Sequence, residues 1–330
     1  MDLSIIVPVY QVEDFIHACI ESIYQQGLDE TRFELIIVND ATKDRSMERI
    51  ADLLAIHHNI SVINHPTNMS LSIARNDGIA QAKGEYILMP DSDDLLIANS
   101  LPDLLQTALE TKADMVVADF LIKTTEEIDA MKGFEQKPYE TVEKTGPQMF
   151  MEDYNPYESY VWRTLFRRQF ILDNKLTFYP GINFQDVPFT NECYQRAGKC
   201  IKTNRVLNIY RVGQESASKT LNAKKTRDFC ISLTETWKLT AMEGLSEETI
   251  NRIHDNVFKS FEFLVSWTAY SIDNLSQGVE VIRFLRKCCP EMHFRHGPRQ
   301  CIASFFFRHT STAFMAFHYY SRRLKEKVKR

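Results

Sequence analysis

Glycine is scarce in this chain, which has 11 glycines among 330 residues, the first of them Gly27. None opens a G-x-x-x-x-G-K phosphate loop, and no set of them has the G-x-G-x-x-G spacing of a dinucleotide-binding turn. The turn after the first apolar run reads Pro8-Val9-Tyr10-Gln11, without the glycine that lets a backbone approach a pyrophosphate. These absences argue against Rossmann dehydrogenases, P-loop nucleotidases and nucleotidyltransferases of the sugar-phosphate type.

Long apolar runs and a disulfide framework are also missing. The longest uncharged run near the C-terminus has 13 residues, from His309 to Ser321, against the roughly 20 that a membrane-spanning helix needs. Met1-Asp2-Leu3 enters an apolar run without the basic region of a secretory signal. The cysteines number seven and follow no disulfide framework, which favours a reducing compartment. We therefore expect a cytoplasmic location.

Charge is unevenly distributed along the chain. Residues 283–330 contain 12 Lys and Arg against 2 Asp and Glu, whereas residues 1–282 contain 27 against 42. Aromatic residues are frequent between 305 and 320, just before the final basic run. One interpretation is a packed helix with a solvated tail, and the other is a surface helix in the interface of an anionic membrane, formed by 305–330. No nucleic-acid-binding module accompanies the basic residues, so we expect no nucleic-acid partner.

Short apolar runs alternate with helix-period segments in the first 120 residues. The predicted strands are Leu3–Val7, Phe33–Val38, Ser61–Asn64, Glu85–Met89 and Met115–Asp119. Continuously apolar strands separated by helices predict an α/β fold with a mostly parallel sheet flanked by helices. The pattern weakens between 120 and 155, and after about 220 apolar residues recur at helical spacing. We predict one domain over 1–218 and a helical C-terminal region over 219–330.

An acidic turn, Asp91-Ser92-Asp93-Asp94, follows the predicted strand at residues 85–89. Ligands of open α/β sheets bind outside the carboxyl ends of the strands. Carboxylates at i and i+2 can converge on a hard cation such as Mg²⁺ or Mn²⁺, which completes its shell with water and phosphate oxygens. The alternative is an Asp-rich turn that caps the following helix.

Two further strand ends carry candidate ligand-binding residues. Tyr10 ends the first strand and Asp40 the second. Tyr10 could stack on a nucleobase, and Asp40 could accept a hydrogen bond from a base imide N–H. Simple packing is the alternative for Tyr10, and a turn role is the alternative for Asp40.

The order and spacing of these motifs resemble those of the family 2 glycosyltransferases. The matching segments are Ile5–Tyr10, Ile36–Asp40, Ala74–Asn76, Gly84–Ile87 and Asp91–Asp94, and the resemblance is strong over roughly residues 1–120 and looser over 156–218. It implies the Rossmann-like GT-A fold and an inverting transfer from a nucleotide sugar, commonly UDP-linked, with Mn²⁺ or Mg²⁺ held by the D-x-D. The expected acceptor is a hydroxyl of a glycan or lipid-linked glycan in cell-surface polysaccharide synthesis.

The resemblance also implies roles for residues of the donor site. Its nucleoside-binding set falls on Pro8, Val9, Tyr10, Glu13 and Asp40. Arg75 resembles the arginine near the nucleotide and diphosphate. Asp91 resembles a donor contact and metal ligand, Asp93 the metal ligand, and Asp94 a support of the turn.

Later segments resemble the acceptor side and a closing segment. Asp186 falls on the position of the catalytic base, with a helix N-terminal Asp as the alternative, and Gln185 lies beside it. Trp162 lies in the acceptor-side segment, where it either stacks on a sugar or packs internally. Arg211 and Ser216 resemble a late segment that closes over the diphosphate.

The chain departs from the family pattern at several positions. Asn39 and Gln11 replace the usual Asp and Asn, Ser70 stands where glycine is common, and Gln185 replaces a glutamate. Residues 41–44 read Ala-Thr-Lys-Asp rather than Gly-Ser-Thr-Asp. These departures support an alternative function, a non-catalytic nucleotide-sugar or glycan-binding protein. The aspartates of the D-x-D and at 186 are intact, which favours the enzyme.

Overall fold

The computed structural model describes residues 1–213, 222–271 and 275–328, without the side chains of 270, 271, 311 and 322–328. The chain divides into two compact units. The first contains residues 1–152, 160–181 and 193–216, and the second contains 153–159, 182–192 and 217–330. The predicted division near residue 218 stays a prediction, and the segments 153–159 and 182–192 group with the C-terminal residues.

A sheet of nine strands forms the centre of the first unit. The strands are β1 Leu3–Val9, β2 Phe33–Asn39, β3 Ile60–Asn64, β4 Tyr86–Leu88, β5 Leu95–Leu96, β6 Met115–Thr124, β7 Thr141–Lys144, β8 Thr164–Arg167 and β9 Cys200–Val212. Their order is β3-β2-β1-β4-β8-β6-β9-β5, with β7 also paired to β9. Pairs among β1, β2, β3 and β4 are parallel, as is β6 with β9, while β8, β5 and β7 pair antiparallel.

The sequence of β1 explains its central place. All seven residues of this strand, LSIIVPV, are buried, as expected for a strand covered on both faces by helices. β4 lies against β1 because Gly84 precedes it: a Cβ on Gly84 would lie 2.4 Å from the backbone of Leu3. The close pairing of β4 with β1 in turn sets the position of the acidic turn that follows β4.

Eight helices lie wholly within the described part of the first unit. They are α1 Ile16–Tyr24, α2 Ser46–Arg49, α3 Ala51–Ile56, α4 Leu71–Gln81, α5 Leu101–Thr111, α6 Thr125–Asp129, α7 Gly146–Glu152 and α8 Arg168–Asp173. The helical segment between residues 46 and 56 is interrupted at Ile50, whose side chain is fully buried. α6 begins with a capping box between Thr124 and Glu127.

The second unit is mainly helical over its described residues. Its helices are α9 Asp186–Arg196, which begins in this unit, α10 Ala223–Lys238, α11 Glu247–Ser271, α12 Leu275–Cys288, α13 Gly297–His309 and α14 Ser311–Val328. Aromatic side chains dominate the interior, and Phe261 contacts the rings of Phe294, Phe307 and Phe314. The predicted helical C-terminal region is confirmed.

Helices α13 and α14 divide their aromatic residues between two environments. Phe307, Phe314, Met315 and Tyr319 are buried, whereas Phe305, Phe317 and Tyr320 are exposed, with Phe317 69% accessible. Among the residues that the structure describes, no helix is both long and apolar enough to cross a bilayer.

Candidate active site

The acidic turn lies between β4 and β5, at the carboxyl end of β4. Its backbone closes by a hydrogen bond from the Asp94 N–H to the Asp91 carbonyl at 3.2 Å. Ser92 and Asp94 are buried, while Asp91 and Asp93 are partly exposed. The turn therefore directs its third carboxylate into the protein and leaves the first and second accessible to a ligand.

Asp94 supports the turn through a distant strand. Its Oδ1 accepts the backbone N–H of Arg211, on β9, at 2.8 Å. No donor among the described residues reaches its buried Oδ2. Burial, together with the charges of Asp93 and Asp91, raises the pKa of Asp94 to about 9. Near neutral pH the Asp94 carboxyl therefore retains its proton and adds no negative charge to the turn.

Arg211 also binds the turn with its side chain. Nε donates to the Asp93 carbonyl at 3.0 Å, Nη1 donates to the Thr125 hydroxyl at 3.3 Å, and the guanidinium lies 5.0 Å from the centre of the Phe15 ring. In this conformation the Arg211 guanidinium binds the acidic turn. Its predicted contact with the diphosphate of the sugar donor stays a prediction. Ser216, predicted in the same segment, lies outside the described residues.

Arg75 and Asp91 are brought together. Arg75 lies on α4, is 2% exposed, and donates from Nη2 to Asp91 Oδ1 at 2.5 Å. Its guanidinium faces the Phe178 ring at 5.4 Å, and no acceptor among the described residues reaches its buried Nε. A buried cation thus reaches the acidic turn and pairs with the Asp91 carboxylate.

The residues at the end of β1 differ in their availability to a ligand. Pro8 and Val9 are buried in the sheet, whereas Tyr10 is 38% exposed. Glu13 binds the next loop instead: its Oε2 accepts the backbone N–H of Arg45 at 2.9 Å. Of these residues, Tyr10 is the most exposed.

Asp40, at the end of β2, is buried and holds the loop after β3. Its Oδ1 accepts from the Met69 N–H at 2.6 Å and lies 2.7 Å from Nδ1 of His65, while Oδ2 accepts from the Ser70 N–H at 2.9 Å. The sequence reading had no role for His65. The available signal was its position, since it directly follows β3 and therefore lies at the same sheet edge as Asp40.

The acceptor-side candidates lie in different settings. Trp162 is 2% exposed, stacks on Tyr160 at 4.7 Å and meets the edge of Phe120. This burial favours the packing alternative for Trp162, and its acceptor-side role stays a prediction. Asp186 is the first residue of α9 in the second unit, and the preceding Gln185 is buried, with no donor from the described part of the chain reaching its Oε1.

The acidic turn has the chemistry of a site for a hard cation. Among the described residues, no group of three or more His, Cys, Asp and Glu side chains is arranged around a point where an ion could sit. Mg²⁺ and Mn²⁺ do not require one, because they are held by one or two carboxylates with water and phosphate oxygens. Asp91 and Asp93 supply that set, since both carboxylates are partly exposed on the turn.

Sequence comparison assigns the family. The sequence model described as glycosyl transferase family 2 matches residues 4–173, slightly more than half of the chain. The chain belongs to glycosyltransferase family 2. The uncharacterized glycosyltransferase EpsJ of Bacillus subtilis is 34% identical over 226 residues, which are 65% of this chain and 62% of that protein.

Other curated relatives are similar over comparable lengths. The uncharacterized glycosyltransferase YibD of Escherichia coli is 30% identical over 66% of this chain and 63% of its own. The poly(ribitol-phosphate) beta-glucosyltransferase of Bacillus spizizenii is 30% identical over 60% of this chain and 30% of its own. The match thus spans somewhat less than two thirds of the first two relatives and about a third of the last.

Solved structures confirm the predicted GT-A fold of this family 2 member. Residues 1–349 of S. aureus TarS in complex with UDP-GlcNAc align with a TM-score of 0.77 and 18% identity, covering 98% of this chain and 92% of TarS. The mannosyltransferase PcManGT of Pyrobaculum calidifontis, in complex with GDP-Man and Mn²⁺, aligns with a TM-score of 0.54 and 12% identity, covering 96% and 86%.

Proposed function

We propose that this protein is an inverting glycosyltransferase which moves a sugar from a UDP-linked donor to a hydroxyl of a glycan or lipid-linked acceptor in cell-surface polysaccharide synthesis. The observation that carries the proposal is the acidic turn at the end of β4. There the buried cation of Arg75 binds Asp91, and Asp93 stays partly exposed beside it. A nucleoside diphosphate gathers negative charge as it leaves. A bound metal ion and a nearby arginine can stabilise that charge.

The nucleoside would bind at the ends of β1 and β2. Tyr10 has an open ring that can stack on a base. Asp40 is an acceptor held by two backbone N–H groups, which suits the imide N–H of uracil. TarS binds UDP-GlcNAc whereas PcManGT binds GDP-Man, and guanine also has a ring N–H that Asp40 could accept, so the choice of UDP rests on the better-fitting structure.

The metal would be held by Asp93 and Asp91. A bound Mn²⁺ or Mg²⁺ supplies charge stabilisation for the leaving diphosphate. Arg75 adds a positive charge that cannot be lost at physiological pH, and its pairing with Asp91 orients that carboxylate. Arg211 and Asp94 contribute indirectly, because they fix the backbone of the turn that carries both ligands.

Asp186 is proposed as the general base. An acceptor hydroxyl must lose its proton as it attacks the anomeric carbon, and a carboxylate within hydrogen-bond reach can accept it. Family resemblance at 184–189 supports this role, and Asp186 is the first residue of helix α9. Direct attack on the face opposite the leaving group gives inversion.

The proposed acceptor and location are supported by features of the second unit and by one of the relatives. One relative is named as a poly(ribitol-phosphate) beta-glucosyltransferase. Phe305, Phe317 and Tyr320 are exposed on α13 and α14, in a segment where basic residues greatly outnumber acidic ones. Aromatic side chains with nearby cations suit the interface of an anionic membrane, where a lipid-linked acceptor would reside.

The test is release of nucleoside diphosphate from a panel of UDP-, GDP- and other nucleotide sugars, with Mn²⁺ or Mg²⁺ and with a chelator. Release from a UDP-sugar that stops on chelation supports the enzyme and names the donor. Tight binding of a nucleotide sugar without release, across lipid-linked and soluble acceptors, would instead support the rival, a binding protein with a degenerate GT-A fold.

A further inference from the structure

His65 lies between two carboxylates at the edge of the proposed nucleoside site. It directly follows β3, and its side chain is buried. Nδ1 lies 2.7 Å from Oδ1 of Asp40, and Nε2 lies 2.9 Å from Oδ2 of Asp77. The backbone N–H of His65 donates to the carbonyl of Asn39 at 2.9 Å, which holds the residue against the end of β2. Both the ring and the backbone of His65 are therefore anchored beside Asp40.

The two oxygens of Asp40 are used unequally. Oδ1 faces two partners, His65 and the N–H of Met69, whereas Oδ2 accepts from the N–H of Ser70. A carboxylate oxygen can accept about two hydrogen bonds. Among the described contacts, Oδ2 therefore keeps capacity for one further donor. The orientation of that open position depends on the groups that hold Oδ1, and His65 is the one side chain among them.

Asp77 ties this arrangement to the helix that carries Arg75. It lies two residues after Arg75 on α4, and its side chain is about half exposed. Because Asp77 is solvated, it can hold the Nε2 side of the ring without itself entering the site. The imidazole thus connects the end of β2 with α4, the two elements that supply the proposed base contact and the proposed diphosphate contact.

We propose that His65 is a positioning residue for donor recognition: through its Nδ1 contact it orients the Asp40 carboxylate so that Oδ2 faces the nucleobase of the donor. The inference rests on the proposed function for the identity of the ligand. The orientation of Asp40 itself does not depend on the ligand and can be measured in the free protein.

Two substitutions separate the two sides of the ring. The amide nitrogen of asparagine occupies the place of Nδ1, and that of glutamine reaches the place of Nε2. His65→Asn therefore keeps a donor to Asp40 and loses the contact with Asp77, while His65→Gln does the reverse. Asp77→Asn is a further control, because it keeps a polar side chain of the same shape opposite Nε2.

The experiment measures the Kd for UDP by calorimetry, the donor KM and kcat, and amide hydrogen exchange at Met69 and Ser70 without nucleotide. His65→Gln should weaken UDP binding and raise the donor KM roughly ten- to a hundredfold, the loss expected for a hydrogen bond to a charged group, with kcat within about threefold. It should also speed exchange at both amides. His65→Asn and Asp77→Asn should stay close to the wild type in every measurement.

Equal behaviour of His65→Asn and His65→Gln in binding and exchange would overturn the inference, since a purely structural histidine makes no such distinction. A fall in kcat with unchanged KM would overturn it as well. Failure of the wild type to bind UDP would instead count against the proposed function, and the exchange comparison would still decide whether His65 orients Asp40.

Discussion

The backbone N–H of Arg211 donates to the buried carboxylate of Asp94 across 117 residues of sequence, at 2.8 Å. The same arginine donates from Nε to the carbonyl of Asp93. Strand β9 therefore holds the acidic turn through two hydrogen bonds. These bonds help to position the two partly exposed carboxylates of the turn. Arg211, which is not one of the proposed metal ligands, thus helps to fix the positions of the two ligands, Asp91 and Asp93.

Substitution of Asp94 should show that its acceptor oxygen is what the turn requires. Asp94→Asn keeps an oxygen for the Arg211 N–H, so we expect stability within about 1 kcal/mol of the wild type. Asp94→Ala leaves that buried N–H without an acceptor and should lower the free energy of unfolding by about 1–3 kcal/mol. Denaturant unfolding monitored by fluorescence measures both. Equal loss in the two variants would contradict the role given to the hydrogen bond.

The proposed metal ligand and the proposed base should fail in different ways. Asp93→Asn and Asp186→Asn should each lower kcat at least roughly 100-fold, the lower range for a general base. Raising Mn²⁺ should restore part of the activity of Asp93→Asn, because that variant binds metal more weakly. It should not restore Asp186→Asn. Steady-state kinetics over a Mn²⁺ titration make the comparison, and near-normal turnover of Asp186→Asn would remove it as the base.

Ser70 occupies a backbone conformation that glycine adopts more readily. Its φ is 99°, in the region that disfavours side chains, at a position where the family commonly has glycine. Residues held in such regions cost about 1–3 kcal/mol each. Ser70→Gly should therefore be more stable than Ser70→Ala, because both variants lose the contact with the Ser72 hydroxyl but only alanine keeps the strain.

Thermal unfolding of Ser70→Gly and Ser70→Ala, measured side by side, tests this. We expect the free energy of unfolding of the glycine variant to be about 1–2 kcal/mol higher than that of the alanine variant, with the greater chain entropy of glycine in the unfolded state included. UDP binding should be retained in both, since the Ser70 N–H to Asp40 is a backbone group. A more stable alanine variant would show that the loop tolerates this conformation without strain.

Much of the fold follows from local pattern, and much of the site does not. β1 and β2 are predicted because nearly every residue is apolar and buried. β9 is absent from the predicted strands although buried and partly exposed residues alternate along much of its 13 positions, a pattern typical of a half-buried strand. β5 has two residues, too short for any periodic signal.

The same distinction applies to the site residues. The acidic turn is recognisable because its carboxylates are adjacent in sequence. The pairing of Asp94 with Arg211 and that of Asp40 with His65 join strands far apart in the chain, so no local spacing predicts them. The burial of Trp162 depends on rings supplied by Tyr160 and Phe120, and burial of this kind is a tertiary property.

Membrane association through the second unit should depend on three exposed aromatic side chains. In flotation with vesicles of phosphatidylglycerol and phosphatidylcholine, the wild type should bind, and binding should weaken with salt and with neutral vesicles. The combined variant Phe305→Ser, Phe317→Ser and Tyr320→Ser should remain in solution. Tyr179→Ser, a change at an exposed tyrosine elsewhere in the chain, is the matched control. Unchanged flotation of the combined variant would refute this surface.

The stability of the helical unit should fall as the pH drops below about 6.5. Burial, followed by the charges of His293 and His296, lowers the pKa of His254 to about 4, and its ring stacks on Trp237 at 4.3 Å. Nearby Arg295 acts in the same direction and Asp255 opposes it. The unfolded chain binds a proton at this histidine near pH 6.5 whereas the native chain does not, so stability is lost as pH falls from there toward 4. His254→Phe keeps a stacked ring without a titrating group, and its melting temperature should therefore depend less on pH across this window. Parallel pH curves for the wild type and His254→Phe would show that other groups govern the acid sensitivity.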